Sequence, residues 1–423
     1  MKHSIITALD VGSSFIRAII AQVGSDGRME IKGIGETPSK GIEAGIVKDI
    51  QALSQVIQAT IEEAEKSADT KAANIFANIT GKNIITHYGD GRISIPKSEA
   101  NEPGEISHEH LDQVINDAKN KSVSILKGFD RLHILHGIPQ NYIIDGQDDI
   151  HNPINMNGFQ LNANVYNVFI DVNSIRNLSK SIELAGYEID PDNFILNHVA
   201  VGRAVLSDDE KRLGCIQIDF GGGTCDISLF DKGILRKVFV VPMAGNDISN
   251  DLAIGLKTTV STAEEIKTEY GVANSEFVDK NIEIEVEGIS GRASQKKSQY
   301  IISQIIQHRL EEILTECYNI AKTNYMPEMI TAGVVLTGGT ANLKGIDTVI
   351  ADAFNLNVKI AVPDLSMING MISNMDDPSY ATALGLLYYA KDMDTELKPT
   401  GFKLGQIGSM KFVDKLKNIL KEI

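Results

Sequence analysis

The strongest constraint on the fold is a short motif that occurs twice, as Asp10-Val-Gly-Ser-Ser and as Asp219-Phe-Gly-Gly-Gly-Thr. Each copy lies between two apolar runs, which predicts a strand, a tight turn and a returning strand. The two aspartates are 219 − 10 = 209 positions apart, a spacing too long for a solenoid repeat. We therefore predict a duplicated α/β protein with one such hairpin in each half.

Turns of this composition suit a phosphate group, because glycine tolerates positive φ and leaves backbone N–H groups accessible to an anion. An aspartate beside a phosphate is tolerable only with a cation between them, and Mg²⁺ accepts carboxylates through its bound waters. We predict that Asp10 and Asp219 contact Mg²⁺ through water. A turn of this kind on its own is usually an ordinary hairpin, and it is the repeat that favours phosphate. The predicted phosphate contacts are Gly12, Ser13, Ser14, Gly221, Gly222, Gly223 and Thr224.

A third glycine loop follows the apolar run 332–337 and precedes a helical pattern near 345–353. Its residues Gly338, Gly339 and Thr340 lie where a strand gives way to a helix, a position that favours an inner phosphate or the edge of a base.

These three loops, in this order, resemble the two phosphate motifs and the adenosine motif of the actin, Hsp70 and sugar-kinase ATPases. The resemblance implies a two-lobed fold of duplicated ribonuclease-H-like domains, with ATP or ADP as ligand. Residues 263–271 are similar to a stretch that faces the nucleoside in bacterial actin relatives, which implies Glu264 or Glu265 and Lys267 as contacts. A solvated helix has the same Glu and Lys spacing. Arg17 matches a basic residue that reaches the phosphates in actin, although a solvent-facing strand arginine fits equally well.

Further segments resemble the FtsA family of bacterial cell-division actin homologues. They are 81–84, 138–142, 221–226, 242–246 and 336–340. The family implies an actin-like protein that binds ATP, polymerises on the cytoplasmic membrane and anchors FtsZ filaments there, at the division septum. The expected divisions are domain IA (1–80 and 166–200), subdomain IC (81–165), domain IIA (201–246 and 308–391, its last helix packing on IA), subdomain IIB (247–307), a linker (392–409) and a terminal helix (410–423).

One residue departs from the active ATPases of the superfamily. Where they have a Glu or Gln that orients the attacking water, this chain has Asn197. A shorter amide reaches less far, and misplacing the water slows phosphoryl transfer by orders of magnitude. We expect at most a slow ATPase.

The C-terminal segment MKFVDKLKNILKEI has one apolar helical stripe. Its length of about 21 Å is too short to cross a bilayer but suits a helix on an anionic surface. A helix docked on the protein body is the alternative, and the FtsA resemblance implies the membrane. The predicted membrane contacts are Phe412, Val413, Leu416, Ile419, Leu420, Ile423, Lys411, Lys415 and Lys417.

The resemblance also implies that subdomain IIB receives the C-terminal peptide of FtsZ, alongside self-association and contacts with other division proteins. Arg292, Lys297 and Arg309 belong to a locally basic stretch that could meet acidic groups of such a peptide. Solvated surface is the ordinary explanation of such a stretch.

Charge and composition argue against several other classes of protein function. Forty Lys and Arg against 56 Asp and Glu give 40 − 56 = −16, a net charge that disfavours nucleic-acid binding. Three irregularly spaced cysteines favour a reducing compartment.

A small-metabolite kinase would need a catalytic Asp and a substrate pocket, and a chaperone would need a further domain. A pilus-assembly relative shares the loops, but the terminal helix disfavours it.

Overall fold

The computed structural model describes residues 4–97, 102–126, 131–325 and 329–396. The chain forms two compact units. The first combines the residues up to Lys82 with Arg176–Lys391, and the second is centred on Asn83–Ile175. All predicted nucleotide contacts lie in the first unit.

The bounds of the elements are as follows. In chain order the strands are β1 (Ser4–Val11), β2 (Phe15–Val23), β3 (Met29–Pro38), β4 (Ile42–Glu43), β5 (Ile46–Val47), β6 (Ile75–Ile79), β7 (Ile84–Ser94), β8 (Gly104–Glu105), β9 (Leu132–Ile144), β10 (Gln147–Ile150), β11 (Asn157–Gly158), β12 (Gln160–Asp171), β13 (Phe194–Leu196), β14 (Cys215–Phe220), β15 (Cys225–Asp231), β16 (Ile234–Val241), β17 (Glu283–Val286), β18 (Gln295–Ser298), β19 (Val334–Thr337), β20 (Val358–Ile360) and β21 (Ile368–Gly370). The α-helices are α1 (Ile50–Ala68), α2 (His108–Ile125), α3 (Val172–Leu184), α4 (Asn197–Val205), α5 (Asp208–Leu213), α6 (Gly245–Leu256), α7 (Val260–Tyr270), α8 (Gln299–Lys322), α9 (Ile346–Phe354) and α10 (Ala381–Glu396).

The two large sheets of the first unit have the same topology. One has the order β3-β2-β1-β6-β13, with β21 added beside β3, and the other has the order β16-β15-β14-β19-β20. In both, the first three strands in sequence are antiparallel and the last two are parallel to the first strand. The predicted duplication is confirmed.

Helix α1 shows how local sequence sets an element. It begins after Asp49, whose side chain accepts hydrogen bonds from the amides of Gln51 and Ala52, which satisfies two of the unpaired donors of the first turn. It ends at Asp69, which has a left-handed φ of 48°. Its apolar stripe is buried and consists of Leu53, Val56, Ile57 and Ile61.

The C-terminal helix α10 belongs to the core of the first sheet. Leu384 and Leu387 are buried in one cluster with Ile6 and Ile19, as expected for a last helix that packs on the first half. The second sheet has its own core, in which Ile218 and Ile227 pack with Leu310 of α8. The last element of the described residues thus completes the core begun by the first.

The second unit is an antiparallel sheet of order β10-β9-β12-β7 with α2 packed on it. Val114 and Ala118 of α2 share a core with Leu161 and Val165 of β12. Since β12 continues to Asp171, the boundary predicted at residue 165 falls inside a strand.

Other predicted boundaries also fall within continuous elements. Residues 201 and 308 lie inside α4 and α8. The linker predicted from residue 392 begins too early, because α10 continues to Glu396. The rest of that linker and the terminal segment 410–423 lie outside the described residues.

A close approach between helices gives the first prediction. A Cβ atom on Gly385 of α10 would lie 2.0 Å from the backbone oxygen of Ala200 in α4. Gly385→Ala must push the helices apart, so we expect it to lower the free energy of unfolding by about 1–3 kcal/mol, measured by urea denaturation. In the matched control Gly255→Ala, the new atom meets only the movable end of Ile305, and stability should stay equal or rise. Equal effects of the two changes would contradict this packing.

Candidate functional site

The two repeated hairpins have the same closing hydrogen bond. In the first, the amide of Gly12 donates to the oxygen of Phe15 over 3.2 Å, and in the second the amide of Gly221 donates to the oxygen of Thr224 over 3.0 Å. Counted from the aspartate, donor and acceptor occupy the same positions in both copies. The sequence repeat is therefore also a repeat of backbone conformation.

The two turns touch each other. Ser14 Oγ donates to Asn246 Oδ1 over 2.9 Å. A Cβ atom on Gly222 would lie 2.0 Å from Ser14 Oγ, and one on Gly223 would lie 2.4 Å from Ser13 Oγ. Only glycine permits this approach, and the site is consequently built from both halves of the first unit.

Asp10 and Asp219 are buried at the ends of β1 and β14. Burial, with a smaller contribution from Asp219, raises the pKa of Asp10 to about 7, and the positive charge of Arg17 acts in the opposite direction. Burial and the neighbouring Asp226 raise the pKa of Asp219 to about 7. Since Asp219 lies close enough to Asp10 to raise its pKa, the two buried carboxylates also favour a cation, and this end of the site has the charge that a divalent metal needs.

Amide side chains hold these carboxylates. Asn78 Nδ2 donates to Asp10 Oδ1 over 3.1 Å, and its oxygen accepts from the amide of Val11. Asn197 Nδ2 donates to Asp219 Oδ2 over 2.7 Å. Asn197 thus lies at the site, as predicted. Its amide group donates a hydrogen bond to Asp219.

The third loop packs against the second hairpin. Thr340 Oγ1 donates to the oxygen of Gly221 over 2.7 Å. Gly338 has a φ of +89°, and a Cβ atom there would lie 2.3 Å from Asp219 Oδ1. Glycine is thus required at position 338 for two reasons: the positive φ and the close approach of the Asp219 carboxylate. The structure brings all three predicted loops together.

Lys267 is buried next to these loops. Its Nζ donates to the oxygen of Gly245 over 2.9 Å, to Ser249 Oγ over 2.8 Å and to Glu264 Oε2 over 2.7 Å. Burial lowers its pKa, and Glu264 acts in the opposite direction. Gly245 also packs against Thr340 of the third loop. Through Gly245, the predicted pair Glu264 and Lys267 therefore lies next to the third loop.

Arg17 is largely buried and bonded. Its Nε lies 2.5 Å from Glu36 Oε2, and Nη1 donates to the oxygen of Ser379 over 3.2 Å. The guanidinium also lies 4.9 Å from the ring centroid of Tyr380. Its charge favours the ionised form of Asp10. Arg17 thus does not face solvent, and its contact with phosphate stays a prediction.

Sequence reasoning gave no role to Asp226, which is buried at the site. Thr80 Oγ1 donates to its Oδ1 over 2.7 Å, and Asn197 donates to its Oδ2 over 2.7 Å. Asp226 follows Asp219 by seven residues, as Arg17 follows Asp10, and each pair is directly opposed across its hairpin. The shared spacing of seven residues is the sequence feature that indicates Asp226 as the counterpart of Arg17.

The predicted metal contacts are two carboxylates acting through water. Within the described ranges, no group of three or more His, Cys, Asp or Glu side chains has the arrangement to hold a metal ion. The fit to Mg²⁺ depends instead on the paired charge of Asp10 and Asp219.

The predicted partner residues lie on several elements. Arg309 of α8 is ion-paired with Asp251 over 2.6 Å and with Glu312 over 2.7 Å. Lys297 lies on β18 opposite Ile284, and Arg292 lies in the exposed connection before that strand. Arg309 is therefore already engaged within the chain.

Two family profiles match the chain. One, described as cell division protein FtsA, matches residues 216–385, and one described as an SHS2 domain inserted in FTSA matches residues 81–169. The chain is 34% identical over 393 residues to the cell division protein FtsA of Neisseria meningitidis, covering 93% of this chain and 91% of that protein. It is 32% identical over 426 residues to the cell division protein FtsA of Borreliella burgdorferi, covering all of both chains.

Solved structures with a similar fold are more distant in sequence. The PilM-PilN type IV pilus biogenesis complex gives a TM-score of 0.62 at 16% identity, covering 91% of this chain and 98% of that one. MreB5 of Spiroplasma citri bound to ADP gives 0.53 at 14% identity, covering 94% and 99%. At these identities the likeness concerns the fold alone, and the predicted actin-like α/β fold is confirmed.

The buried carboxylates predict a pH effect on stability. A folded-state pKa of about 7 for Asp219, against 3.8 ordinarily, means that the folded state holds the proton more tightly. The free energy of unfolding without metal or nucleotide should therefore fall as pH rises from about 4 to about 7. Asp219→Asn should lose the share of this dependence that Asp219 contributes, while Asp10 and Asp226, whose pKa values are also raised, keep theirs. The variant should exceed the wild type at pH 8 by about 1–4 kcal/mol, measured by urea unfolding.

The control Asp26→Asn removes a carboxylate that is 66% exposed, and its difference from the wild type should be the same at pH 5 and pH 8. A gain for Asp219→Asn that is equally large at both pH values would contradict the assignment.

Proposed function

The chain belongs to the family of the cell division protein FtsA, and on that premise we propose that it is an actin-like protein that binds ATP or ADP with Mg²⁺, polymerises at the cytoplasmic face of the cell membrane and anchors FtsZ filaments at the division septum. The observation that carries the nucleotide part is the contact between two hairpins that each present an aspartate, with Ser14 of one bonded to Asn246 beside the other.

The residues present fit a magnesium nucleotide. Asp10 and Asp219 would hold Mg²⁺ through water, and phosphates would bind to backbone N–H groups of the glycine turns other than those of Gly12 and Gly221, which close the hairpins. Glu264 and Lys267 lie with Thr340 on the side of the second half, where the nucleoside would bind. The ion would neutralise the phosphate charge. A ligand held by both hairpins favours the closed arrangement of the two halves.

Hydrolysis in this site is slow or negligible. Both N–H bonds of the Asn197 amide are used, one by Asp219 and one by Asp226. Its oxygen accepts from Thr382 Oγ1 over 2.9 Å. An amide with these partners is not available to orient an attacking water, and nucleotide then acts as a structural ligand between the halves.

The FtsZ peptide would bind to residues 247–307. This region exposes apolar side chains, with Ile254 exposed by 78% and Phe277 by 67%. Arg292 and Lys297 add positive charge nearby in the sequence. Apolar anchors beside basic groups suit a peptide that has both apolar and acidic residues. Arg309, which is ion-paired with Asp251 and Glu312, would contribute only after exchanging those partners.

Membrane attachment is assigned to residues 410–423. Among the described residues, no helix is long and apolar enough to cross a bilayer. The terminal stripe with four lysines suits reversible binding to an anionic surface. A polymer carries many linked copies, and their combined binding is far stronger than that of one copy. Polymerisation and attachment would therefore reinforce each other, which electron microscopy on anionic lipid monolayers with and without ATP and Mg²⁺ tests directly.

Nucleotide binding should depend on magnesium and on both aspartates. We expect the double variant Asp10→Asn, Asp219→Asn to weaken ATP binding in Mg²⁺ by about tenfold or more, since outer contacts of a bound metal typically contribute that much. Isothermal titration in Mg²⁺ and in EDTA measures this. The exposed control Asp26→Asn should bind as the wild type does. A wild type with equal affinity in Mg²⁺ and EDTA would refute the metal assignment.

Membrane binding should depend on the apolar stripe. Phe412→Glu with Leu416→Glu places two charges among the buried side chains, each of which contributes about 1.5–3 kcal/mol when buried, and should abolish sedimentation with anionic liposomes. The charge-matched control Asn418→Glu, compared with the single variant Leu416→Glu, adds the same charge off the stripe and should retain most binding. If the first variant still sediments, the attachment lies elsewhere in the chain.

A further inference from the structure

The duplicated hairpins differ at one equivalent position. In the first, Asp10 is opposed by Arg17, whose positive charge favours the ionised carboxylate. In the second, Asp219 is opposed by Asp226. Both residues of the second pair are buried, with 7% and 1% exposure. Two buried carboxylates side by side repel each other, so the second hairpin needs hydrogen-bond donors to both of them.

One amide supplies them. Asn197 donates one hydrogen bond to Asp219 Oδ2 and one to Asp226 Oδ2, each over 2.7 Å. Its own oxygen accepts from Thr382 Oγ1 over 2.9 Å and from Asn78 Nδ2 over 3.4 Å. The side chain is therefore bonded at both ends and cannot rotate without breaking several bonds at once.

The other donors in the site do not duplicate this bridge. Thr80 reaches only Asp226, at Oδ1, and Asn78 reaches Asp10. A glutamate or aspartate in place of Asn197 would add a third negative charge and remove both donors. A glutamine would add a methylene to a packed position, where one extra methylene costs stability. The bridge thus depends on this residue type.

We propose that Asn197 is a positioning residue whose single amide fixes the separation and orientation of the Asp219 and Asp226 carboxylates, so that Asp219 is held ready for the waters of Mg²⁺. This inference rests on the proposed nucleotide-binding function of the site. It assigns Asn197 to metal affinity and not to the orientation of an attacking water.

The test compares Asn197→Ala, which removes both donors, with Asn197→Ser, which keeps one and carries the test if the alanine variant does not fold. The Mg²⁺ affinity is measured by titrating the ion at saturating ATP, and ATP affinity is measured separately in EDTA. We expect Asn197→Ala to weaken Mg²⁺ binding by about tenfold to a hundredfold and Asn197→Ser to fall between it and the wild type. ATP affinity in EDTA should stay within about twofold, whereas a purely structural defect would weaken both.

Asn193→Ala is the matched control, because Asn193 also bonds within the first unit, to the oxygen of Ile75, but away from the carboxylates. Its Mg²⁺ affinity should equal that of the wild type. Unchanged Mg²⁺ affinity in Asn197→Ala, or a slower single-turnover hydrolysis at saturating Mg²⁺ and ATP with the affinity unchanged, would overturn the proposal. ATP binding to the wild type in Mg²⁺ is measured before any variant is tested. A wild-type protein that binds no ATP would overturn the proposed function as well.

Discussion

The site depends on the burial of three carboxylates where the two halves of the first unit meet. Asp10, Asp219 and Asp226 all have a raised pKa, and burial is the largest cause for each. A group of this kind is stable only if hydrogen bonds, a nearby cation or a bound metal offsets the cost of removing charge from water. The side chains around the three carboxylates offset this cost by donating hydrogen bonds or by supplying positive charge.

The two copies of the hairpin achieve it differently. The first adds a positive charge to the neutral donor Asn78, since Arg17 lies opposite Asp10 and is itself paired with Glu36. The second uses neutral donors, namely the amide of Asn197 and the hydroxyl of Thr80. Two hairpins of equal backbone conformation have thus become chemically unequal, with a cation beside one aspartate and a second carboxylate beside the other.

The segment before α10 connects the parts of the site. The oxygen of Ser379 accepts from Arg17, and the oxygen of Pro378 accepts from Thr337 and from the amide of Gly338. Thr382, one residue into α10, bonds Asn197. The helix that precedes the C-terminal tail is therefore attached to the first hairpin, the third loop and the carboxylate bridge. Any movement between the halves must be accommodated at this segment.

Local sequence patterns predict the two hairpins, the third loop and the duplication, because these features depend on neighbouring residues and on short repeated motifs. The sequence also placed Asn197 near the site by resemblance. The tertiary structure alone decided the partners: Asn78 with Asp10, Thr80 with Asp226 and Thr382 with Asn197 are 68, 146 and 185 positions apart. No local pattern encodes such pairs, since they form only when strands and helices from both halves converge on the same buried charges.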